Sequence, residues 1–253
     1  MAWVLDLDGV VWRGDRTIAG SAAAVEQLRS AGERVWFVTN NALPRRADVI
    51  AKLAAHGIDA GDDVVTSPMA AASLVMPGER VLICAGPGVT EAVTERGGEA
   101  IDAAVGAAAV DAVIVGLHLD FDYRRLARAC TALRAGARLI ATNDDSSYPG
   151  ADGLLPGAGA LLAAVVTGSG AVPVVAGKPY APMVELVRSL AGDGGVAVGD
   201  RADIDGRFAR ALGYRFGLVL TGVTAVGDLP VDPHPDAVAP DLAALVDNLR
   251  ARS

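Results

Sequence analysis

Short runs of apolar, mostly β-branched residues alternate with helix-like segments along this chain. The runs are continuously apolar, which is typical of strands covered by helices on both faces of a sheet. Such an alternation predicts an α/β fold built on a parallel sheet. The predicted buried strands are residues 3–5, 35–38, 81–84, 112–115, 139–141, 172–175, 196–198 and 218–220.

The helices between these strands have recognisable ends. Asp often caps the first turn of a helix, and Gly often follows the last turn because it adopts a left-handed conformation readily. Pro is also favoured in the first turn. On these signals we predict helices at 21–31, from Pro44 to Gly57, from Asp122 to Gly136, at 203–212 and from Asp241 onward.

The charge balance limits the partners that the chain can have. The net charge is −8 over 253 residues, and no basic run is present. A nucleic-acid surface needs clustered Lys and Arg, so we expect no nucleic-acid partner. A small anionic substrate remains compatible with this acidity if the site supplies its own local positive charge.

The location is expected to be the cytosol. The sequence begins MAWVLDLDG, which does not resemble a signal peptide, and the apolar stretch 157–166 is too short to span a bilayer. Cys84 and Cys130 lie among apolar neighbours. Buried thiols in a reduced compartment are therefore favoured over a disulfide.

Four polar segments follow predicted strands. In open parallel sheets, ligands bind beyond the carboxyl ends of the strands, so polar residues at these ends are candidates for a site. The segments are Asp6-Leu7-Asp8-Gly9-Val10, Val38-Thr39-Asn40-Asn41, Gly177-Lys178-Pro179 and Val198-Gly199-Asp200-Arg201.

Asp6 and Asp8 stand two residues apart at a strand end, so their carboxylates can point the same way. Neighbouring carboxylates repel each other unless a cation or a shared proton stabilises them. One interpretation is a metal-binding nucleophile with an acid/base neighbour. The alternative is a pair of solvated acids at a strand end.

The other segments also have ordinary structural alternatives. Thr39, Asn40 and Asn41 can donate hydrogen bonds to phosphate oxygens, but they suit a turn or helix cap as well. Lys178 suits a phosphate or an aspartyl-phosphate, although Gly-Lys-Pro is often a surface turn. Asp200 suits the hard oxygen coordination that Mg²⁺ prefers.

Two more acids follow Asp200. Asp203 and Asp205 fall in the first turn of the predicted helix, where the helix dipole favours acidic residues. The dipole explains Asp203 well. It leaves Asp200 less explained, which favours a metal-binding role for that carboxylate.

Taken in order, these segments closely resemble the haloacid dehalogenase superfamily of phosphohydrolases, and within it the subfamily with the larger C2A cap. The similarity covers nearly the whole chain. The segments that carry it are residues 8–10, 38–41, 141–144, 156–160, 177–179, 198–201 and 220–223.

The resemblance implies a fold with two domains. A Rossmann-like parallel-sheet core would consist of residues 1–76 and 177–253, and an inserted α/β cap would span residues 77–176. The middle of the chain is richer in Gly and Ala and contains none of the four polar segments, which agrees with an insertion there. Residues 11–18 would form a small flap, and the cap segments nearest the active site would be 143–144 and 156–159.

The resemblance also implies a role for each matching residue. Asp6 would be the nucleophile and a Mg²⁺ ligand, and Asp8 would be the general acid/base and a metal ligand through its backbone carbonyl. Lys178 would neutralise Asp6 and the phosphate. Asp200 would bind Mg²⁺, with Asp205 supporting the metal indirectly or through water. The substrate-binding and phosphate-binding residues would be Gly9, Thr39, Asn40, Asn41 and Asn143.

These roles describe a Mg²⁺-dependent phosphatase that hydrolyses a small phosphorylated metabolite through an aspartyl-phosphate. Asp8 favours phosphatase over dehalogenase chemistry, because a halide leaving group needs no proton. The alternatives are a phosphotransferase or mutase that uses the same intermediate, and a non-enzymatic phosphate-binding relative. The resemblance also makes a homodimer through the cap plausible, and it implies no membrane partner.

Three residues outside the motifs are left open or discounted. His118 stands where relatives commonly have Asp, and Trp12 stands where smaller or tyrosyl residues are common. Either side chain could affect the choice of substrate, and His118 is also compatible with a partly exposed structural role. Tyr180 is expected to be an ordinary loop residue.

Overall fold

The computed structural model describes residues 1–105, 109–150 and 153–251. The strands are β1 (Ala2–Leu5), β2 (Trp12–Arg13), β3 (Arg16–Thr17), β4 (Arg34–Thr39), β5 (Val64–Thr66), β6 (Arg80–Cys84), β7 (Glu99–Asp102), β8 (Ala112–Val115), β9 (Arg138–Ala141), β10 (Ser147–Gly150), β11 (Gly153–Pro156), β12 (Pro173–Val175), β13 (Gly195–Gly199), β14 (Arg215–Val219) and β15 (Ala237–Ala239). The helices are α1 (Ser21–Ser30), α2 (Arg46–Ala55), α3 (Ser67–Ala72), α4 (Pro87–Glu95), α5 (Tyr123–Arg134), α6 (Ala158–Ser169), α7 (Ala181–Ala191), α8 (Arg207–Leu212) and α9 (Leu242–Arg250).

The chain packs into two compact units. The first contains Met1–Thr39, Asp48–Val65 and Val184–Ser253, and the second contains Asn40–Ala47 and Thr66–Met183. These units are defined by packing and not by where an insertion begins. The domain boundaries at residues 77 and 176 therefore remain a prediction.

The first unit is built on a sheet with the strand order β15-β14-β13-β1-β4-β5. The pairs from β15 to β4 are parallel, and Leu5 of β1 lies opposite Val198 of β13 and Phe37 of β4. Because the central strands carry apolar side chains on both faces, residues such as Trp3, Leu5 and Phe37 are fully buried. This register brings the carboxyl ends of β1, β4 and β13 to one edge of the sheet.

The second unit has its own parallel sheet, with the strand order β12-β9-β8-β6-β7. Its core joins sheet residues such as Leu82 and Val113 to Leu133 of α5 and Val165 of α6. The antiparallel hairpin β10–β11 also belongs to this unit. The predicted fold class, α/β with a Rossmann-like parallel-sheet core and a further α/β unit, is confirmed.

Two predicted helix starts are confirmed by hydrogen bonds. The Asp122 carboxylate accepts from the Arg125 backbone N–H at 2.8 Å and caps α5, and the Asp241 carboxylate caps α9 by accepting from Ala244 N–H at 2.8 Å. The predicted flap at residues 11–18 contains the antiparallel hairpin β2–β3, in which Trp12 pairs with Thr17.

Three element predictions need correction. Helix α2 begins at Arg46, so Pro44 lies before the helix and not in its first turn. The helix predicted at 203–212 is a π-helical turn, Ala202–Gly206, followed by α8. The run at 172–175 is not buried, because β12 is an edge strand and the side chains of Val172 and Val174 are 87% and 50% exposed.

Cys84 and Cys130 are both buried and unbridged, as predicted. Burial raises the pKa of the Cys84 thiol to about 12, so this side chain behaves as a small apolar group. Among the described residues, no helix is both long enough and apolar enough to cross a bilayer.

Asp236 ties β14 to α8, and this contact gives a stability prediction. Its carboxylate accepts from Phe216 N–H and from Arg210 Nη1, both at 2.7 Å. Burial would raise the pKa of Asp236, but these two donors hold the pKa below its usual value. A lowered folded-state pKa stabilises the protein above pH ~4, and this contribution is lost as the pH falls through the folded-state pKa.

We therefore expect Asp236→Asn to lower the free energy of unfolding by about 1 kcal/mol at pH 7, and by less in acid. Urea unfolding of both proteins at pH 7 and below pH ~4 measures the difference. Asp193→Asn is a matched control, because Asp193 is almost fully exposed and its ion pair with Arg188 is long, at 3.8 Å. Equal stability of the wild type and Asp236→Asn at pH 7 would contradict the prediction.

Candidate active site

The first unit brings three predicted site residues to the carboxyl edge of its sheet. Asp6 directly follows β1, and its backbone N–H donates to the Val198 carbonyl at 2.9 Å. Asp200 directly follows the neighbouring β13, and Thr39 is the last residue of β4 on the other side of β1. The parallel register therefore brings these three residues to the same edge of the sheet, where ligands were predicted to bind.

Three carboxylates converge at this edge. Asp6, Asp200 and Asp205 each place one carboxylate oxygen within 4.8 Å of the others. Asp200 and Asp205 are each only 4% exposed. Because like charges at this distance repel and burial strengthens the repulsion, the cluster is suited to a cation.

Asp205 is placed by an unusual turn. Its backbone N–H donates to the Arg201 carbonyl at 2.7 Å within the π-helical segment, and its carboxylate accepts from Arg201 N–H at 3.2 Å. The dipole interpretation considered from the sequence therefore does not account for Asp205, which is buried in the cluster. Asp203 does fit a surface role, since it is exposed and pairs with Arg201 at 2.8 Å.

Three glycines, which lack a side chain, leave room for the carboxylates of the acidic cluster. A Cβ at Gly222 would overlap the Asp200 carboxylate, and a Cβ at Gly9 would lie 2.5 Å from Oδ2 of Asp200. A Cβ at Gly199 would overlap Asp205 in the same way. Gly9 also has a φ of +83°, which side chains rarely adopt. Gly9, predicted to bind phosphate, therefore also has a steric role beside Asp200.

The segment after β14 holds Asp200 from the other side. The Val223 backbone N–H donates to Oδ2 of Asp200 at 2.6 Å, and Thr224 N–H donates to the Asp200 carbonyl at 3.2 Å. The Thr221 hydroxyl donates to the Gly9 carbonyl. These bonds fix the carboxylate without neutralising it, which suits a ligand that must keep its charge.

Asp8 differs from the three clustered acids. Its side chain is exposed, and Oδ1 accepts a hydrogen bond of 2.9 Å from the indole Nε1–H of Trp12. The chain turns sharply after it, with Gly9 N–H donating to the Trp12 carbonyl at 2.7 Å. The carboxylate is thus oriented by a donor and remains accessible, as a general acid/base must be.

In the second unit, the side chain of Asn40 holds the backbone of Lys178. Asn40 Oδ1 accepts from Lys178 N–H at 2.8 Å, and Asn40 Nδ2 donates to the Lys178 carbonyl at 3.0 Å. The two residues are 138 positions apart in the sequence. Lys178 is itself buried, with 3% exposure. Because Asn40 binds both its N–H and its carbonyl, the backbone that carries the ammonium group is held in place.

Asn143 belongs to the same network. Its Nδ2 donates to the Asn40 carbonyl at 2.6 Å, and the Ser67 hydroxyl donates to that carbonyl at 2.8 Å. Asn40 Nδ2 also lies 3.4 Å from a carboxylate oxygen of Asp145. The side chains of two predicted substrate-binding residues, Asn40 and Asn143, therefore form hydrogen bonds to the protein backbone.

Tyr180 lies in a loop, as expected, and its hydroxyl donates to the Asp144 carboxylate, a contact that the sequence did not predict. The sequence also gave no sign of Ser67 or Asp145 as partners of Asn40. A single hydroxyl or acid in a loop has no local pattern that shows its distant partner, and no signal in the chain would have identified these contacts.

Asn41 and His118 take part in local structure. Asn41 is exposed, and its Oδ1 accepts from Leu43 N–H at 3.1 Å, which is a turn contact. Nδ1 of His118 accepts from Asp120 N–H at 3.1 Å, and its ring packs edge-on against Phe121. Burial, assisted by nearby Arg125, lowers the pKa of His118, which favours the neutral form of the ring.

The fold and the cluster define the class of this protein, an α/β protein with a carboxylate cluster that could hold a metal ion at the carboxyl edge of a parallel sheet. The chain belongs to the haloacid dehalogenase-like hydrolase family. The model of that family matches residues 3–99, and a HAD-hydrolase-like model matches residues 175–245.

Characterised proteins are similar to the chain over most of its length. It is 39% identical to D-glycerol 3-phosphate phosphatase from Mycobacterium tuberculosis, across 96% of this chain and 70% of the relative. A crystal structure of the glycerol phosphate phosphatase from that organism in complex with magnesium superposes with a TM-score of 0.87 at 36% identity, covering 96% and 75% of the two chains. The p-nitrophenyl phosphatase of Archaeoglobus fulgidus superposes with a TM-score of 0.89 at 28% identity, covering 98% of both chains.

Proposed function

We propose that this protein is a Mg²⁺-dependent phosphomonoesterase that acts on a small phosphorylated metabolite through an aspartyl-phosphate on Asp6. The observation that carries the proposal is the convergence of Asp6, Asp200 and Asp205 at the carboxyl edge of the sheet, with an accessible Asp8 two residues after Asp6. The relatives named as phosphatases support the reaction class.

The donor set fits Mg²⁺. Carboxylate oxygens are the ligands that Mg²⁺ prefers, and the glycines beside Asp200 and Asp205 leave both carboxylates in place without side-chain crowding. Asp6 and Asp200 would hold the ion with the backbone carbonyl of Asp8, and Asp205 would support it indirectly or through water. When bound there, Mg²⁺ offsets the negative charges of the nucleophile and the phosphate.

In the first half of the reaction, a carboxylate oxygen of Asp6 attacks phosphorus and the ester P–O bond breaks. The electron pair of that bond leaves with the ester oxygen, which takes a proton from the Asp8 carboxyl group. The alcohol departs, and Asp6 carries the phosphoryl group. Proton donation matters because an unprotonated alkoxide is a poor leaving group.

In the second half, water attacks phosphorus and gives a proton to the Asp8 carboxylate. The acyl phosphate bond breaks, inorganic phosphate departs, and Asp6 is a free carboxylate again. Asp8 ends protonated, ready for the next ester. Two further roles rest on the family resemblance. Lys178 would supply the positive charge near the phosphate, and Thr39 and the Asn40 backbone would donate hydrogen bonds to it.

The substrate class is a small phosphomonoester. Glycerol phosphate and aryl phosphates are the first compounds to test, since the names of two relatives refer to them. The cytoplasm as location and a homodimer through residues 77–176 are further parts of this proposal. Two exposed residues at the edge strand β12 support contact between copies: Val172, which precedes the strand, and Val174 within it.

The test is hydrolysis of 4-nitrophenyl phosphate and of a panel of phosphorylated metabolites by the purified protein. We expect EDTA to abolish turnover and added Mg²⁺ to restore it, because the acidic cluster would lose the ion that offsets its charge. EDTA saturated with Mg²⁺ beforehand is the matched control and should leave the rate unchanged. Full activity in excess free EDTA would refute the metal dependence.

A further inference from the structure

The hairpin β2–β3 carries a side-chain cluster that the proposed reaction does not use. The Trp12 side chain is 3% exposed, and its ring stacks on His56 with centroids 5.1 Å apart and an interplanar angle of 29°. The ammonium of Lys52 lies 4.4 Å from the centroid of the same ring. The Trp12 ring, in a hairpin next to Asp8, is thus held by Lys52 of α2 and by His56, which directly follows that helix.

The same two residues hold the hairpin itself. Lys52 Nζ donates to the Gly14 carbonyl at 3.0 Å, and Nδ1 of His56 shares a 2.6 Å hydrogen bond with the Thr17 hydroxyl. Lys52 and His56 are four positions apart, so they lie on one face of the helix. The position of the Trp12 ring is therefore tied to α2 and not only to its own short hairpin.

The one polar atom of this ring is directed at Asp8. Trp12 Nε1–H donates to Oδ1 of Asp8 at 2.9 Å. An indole N–H can donate but cannot accept, so it holds Oδ1 as an acceptor. The proton that Asp8 passes to a leaving group is then carried by Oδ2, the other oxygen.

We propose that Trp12 is a positioning residue for acid catalysis, and that its N–H fixes the Asp8 carboxyl group so that Oδ2 faces the leaving-group oxygen. This inference rests on the proposed function, since it assigns a partner to its acid/base residue. The cluster of Lys52, Trp12 and His56 is the support that keeps the donor in place. Hydrogen bonds to a charged or charge-changing group are among the stronger ones in proteins, so removal has a measurable effect.

The test is Trp12→Phe, which keeps an aromatic ring and removes the N–H. The probes are 4-nitrophenyl, phenyl and benzyl phosphate, which are similar in size and differ in how much their leaving oxygen needs a proton. We expect kcat/KM to fall about tenfold or more for benzyl phosphate, less for phenyl phosphate, and less than about threefold for 4-nitrophenyl phosphate. The ratio kcat/KM reports the first half of the reaction and excludes hydrolysis of the aspartyl-phosphate.

Trp36→Phe is the matched control. Trp36 is also buried in the first unit, and within the described residues its indole N–H has no hydrogen-bond partner. It should show no dependence of its effect on the leaving group. An equal loss for all three esters in Trp12→Phe, or no loss, would overturn the proposal, because a purely structural role acts on every substrate alike.

A second variant keeps the test decisive if Trp12→Phe folds poorly. Lys52→Met keeps the aliphatic stem and removes the charge over the Trp12 ring and the bond to Gly14. We expect the same order of losses among the three esters, at a few-fold size, and a uniform loss or none would again overturn the proposal. Wild-type turnover of the esters tests the proposed function separately, since it does not involve either variant.

Discussion

Asp6→Asn is expected to lower the turnover of 4-nitrophenyl phosphate by at least about a thousandfold, because an amide cannot form the aspartyl-phosphate. The protein should still fold. Asp6, Asp200 and Asp205 lie within 4.8 Å of one another, so removing one charge relieves repulsion in the metal-free protein. The thermal unfolding midpoint measured in EDTA should therefore stay the same or rise.

Asp203→Asn is the matched control for this variant. Asp203 follows the same strand as Asp200, but it is exposed, pairs with Arg201, and lies outside the acidic cluster. It should retain nearly full activity. Substantial turnover by Asp6→Asn, measured on protein that is free of deamidation by mass spectrometry, would exclude Asp6 as the nucleophile.

The sequence was most informative where a residue acts through its position in the sheet. Asp6, Thr39 and Asp200 were predicted from three apolar runs that each end in a polar residue, and the structure brings the ends of β1, β4 and β13 to one edge. Parallel pairing places the carboxyl ends of neighbouring strands at one edge, so the strand pattern indicates which residues are candidates for a site there. The relevant physics is local to each strand and its immediate neighbours.

Exposure could not be predicted in the same way. The run at residues 172–175 is as apolar as the central strands, yet β12 has a neighbour on one side only, and Val174 is half exposed. An apolar run indicates that a strand forms. Whether the strand lies at the centre or at the edge depends on the order of strands, which no single run contains.

Contacts between distant segments were also beyond the sequence. The Asn-Asn pair after β4 was interpreted as phosphate-binding or as a turn, and neither interpretation included the hydrogen bonds from the Asn40 side chain to the backbone of Lys178. Likewise, Trp12 was considered for substrate choice, and the hydrogen bond from its N–H to Asp8 was not predicted. Amides and indoles offer several donors and acceptors, so their identity does not indicate their partner.

The Asn40 contacts suggest why this motif uses an amide. A side-chain amide can accept from the N–H and donate to the carbonyl of one residue, which a hydroxyl or a carboxylate cannot do with the same geometry. Asn40 meets both groups of Lys178 in this way, and its own carbonyl accepts from Asn143 and Ser67. The segment that carries Lys178 is thus fixed through one side chain in the second unit.

The glycines of the acidic cluster give the second large effect. Gly222→Ala is expected to weaken Mg²⁺ binding by about 10- to 100-fold, because the new Cβ would overlap the carboxylate of Asp200 and force it to move. The carboxylate would also lose its present geometry with the Val223 N–H, now 2.6 Å from Oδ2. Isothermal titration of Mg²⁺ into the protein measures this without any turnover, and the Mg²⁺ concentration for half-maximal activity measures it independently.

Gly227→Ala provides the control for the same chemical change in the same part of the chain. A Cβ at Gly227 would meet nothing within 4 Å, and neither glycine has a positive φ. Both variants add one methyl group, so a difference in Mg²⁺ affinity between them comes from the overlap with Asp200 and not from the loss of glycine. Unchanged affinity in Gly222→Ala would mean that Asp200 can shift without cost to the ion, and Asp200 would then not be a ligand.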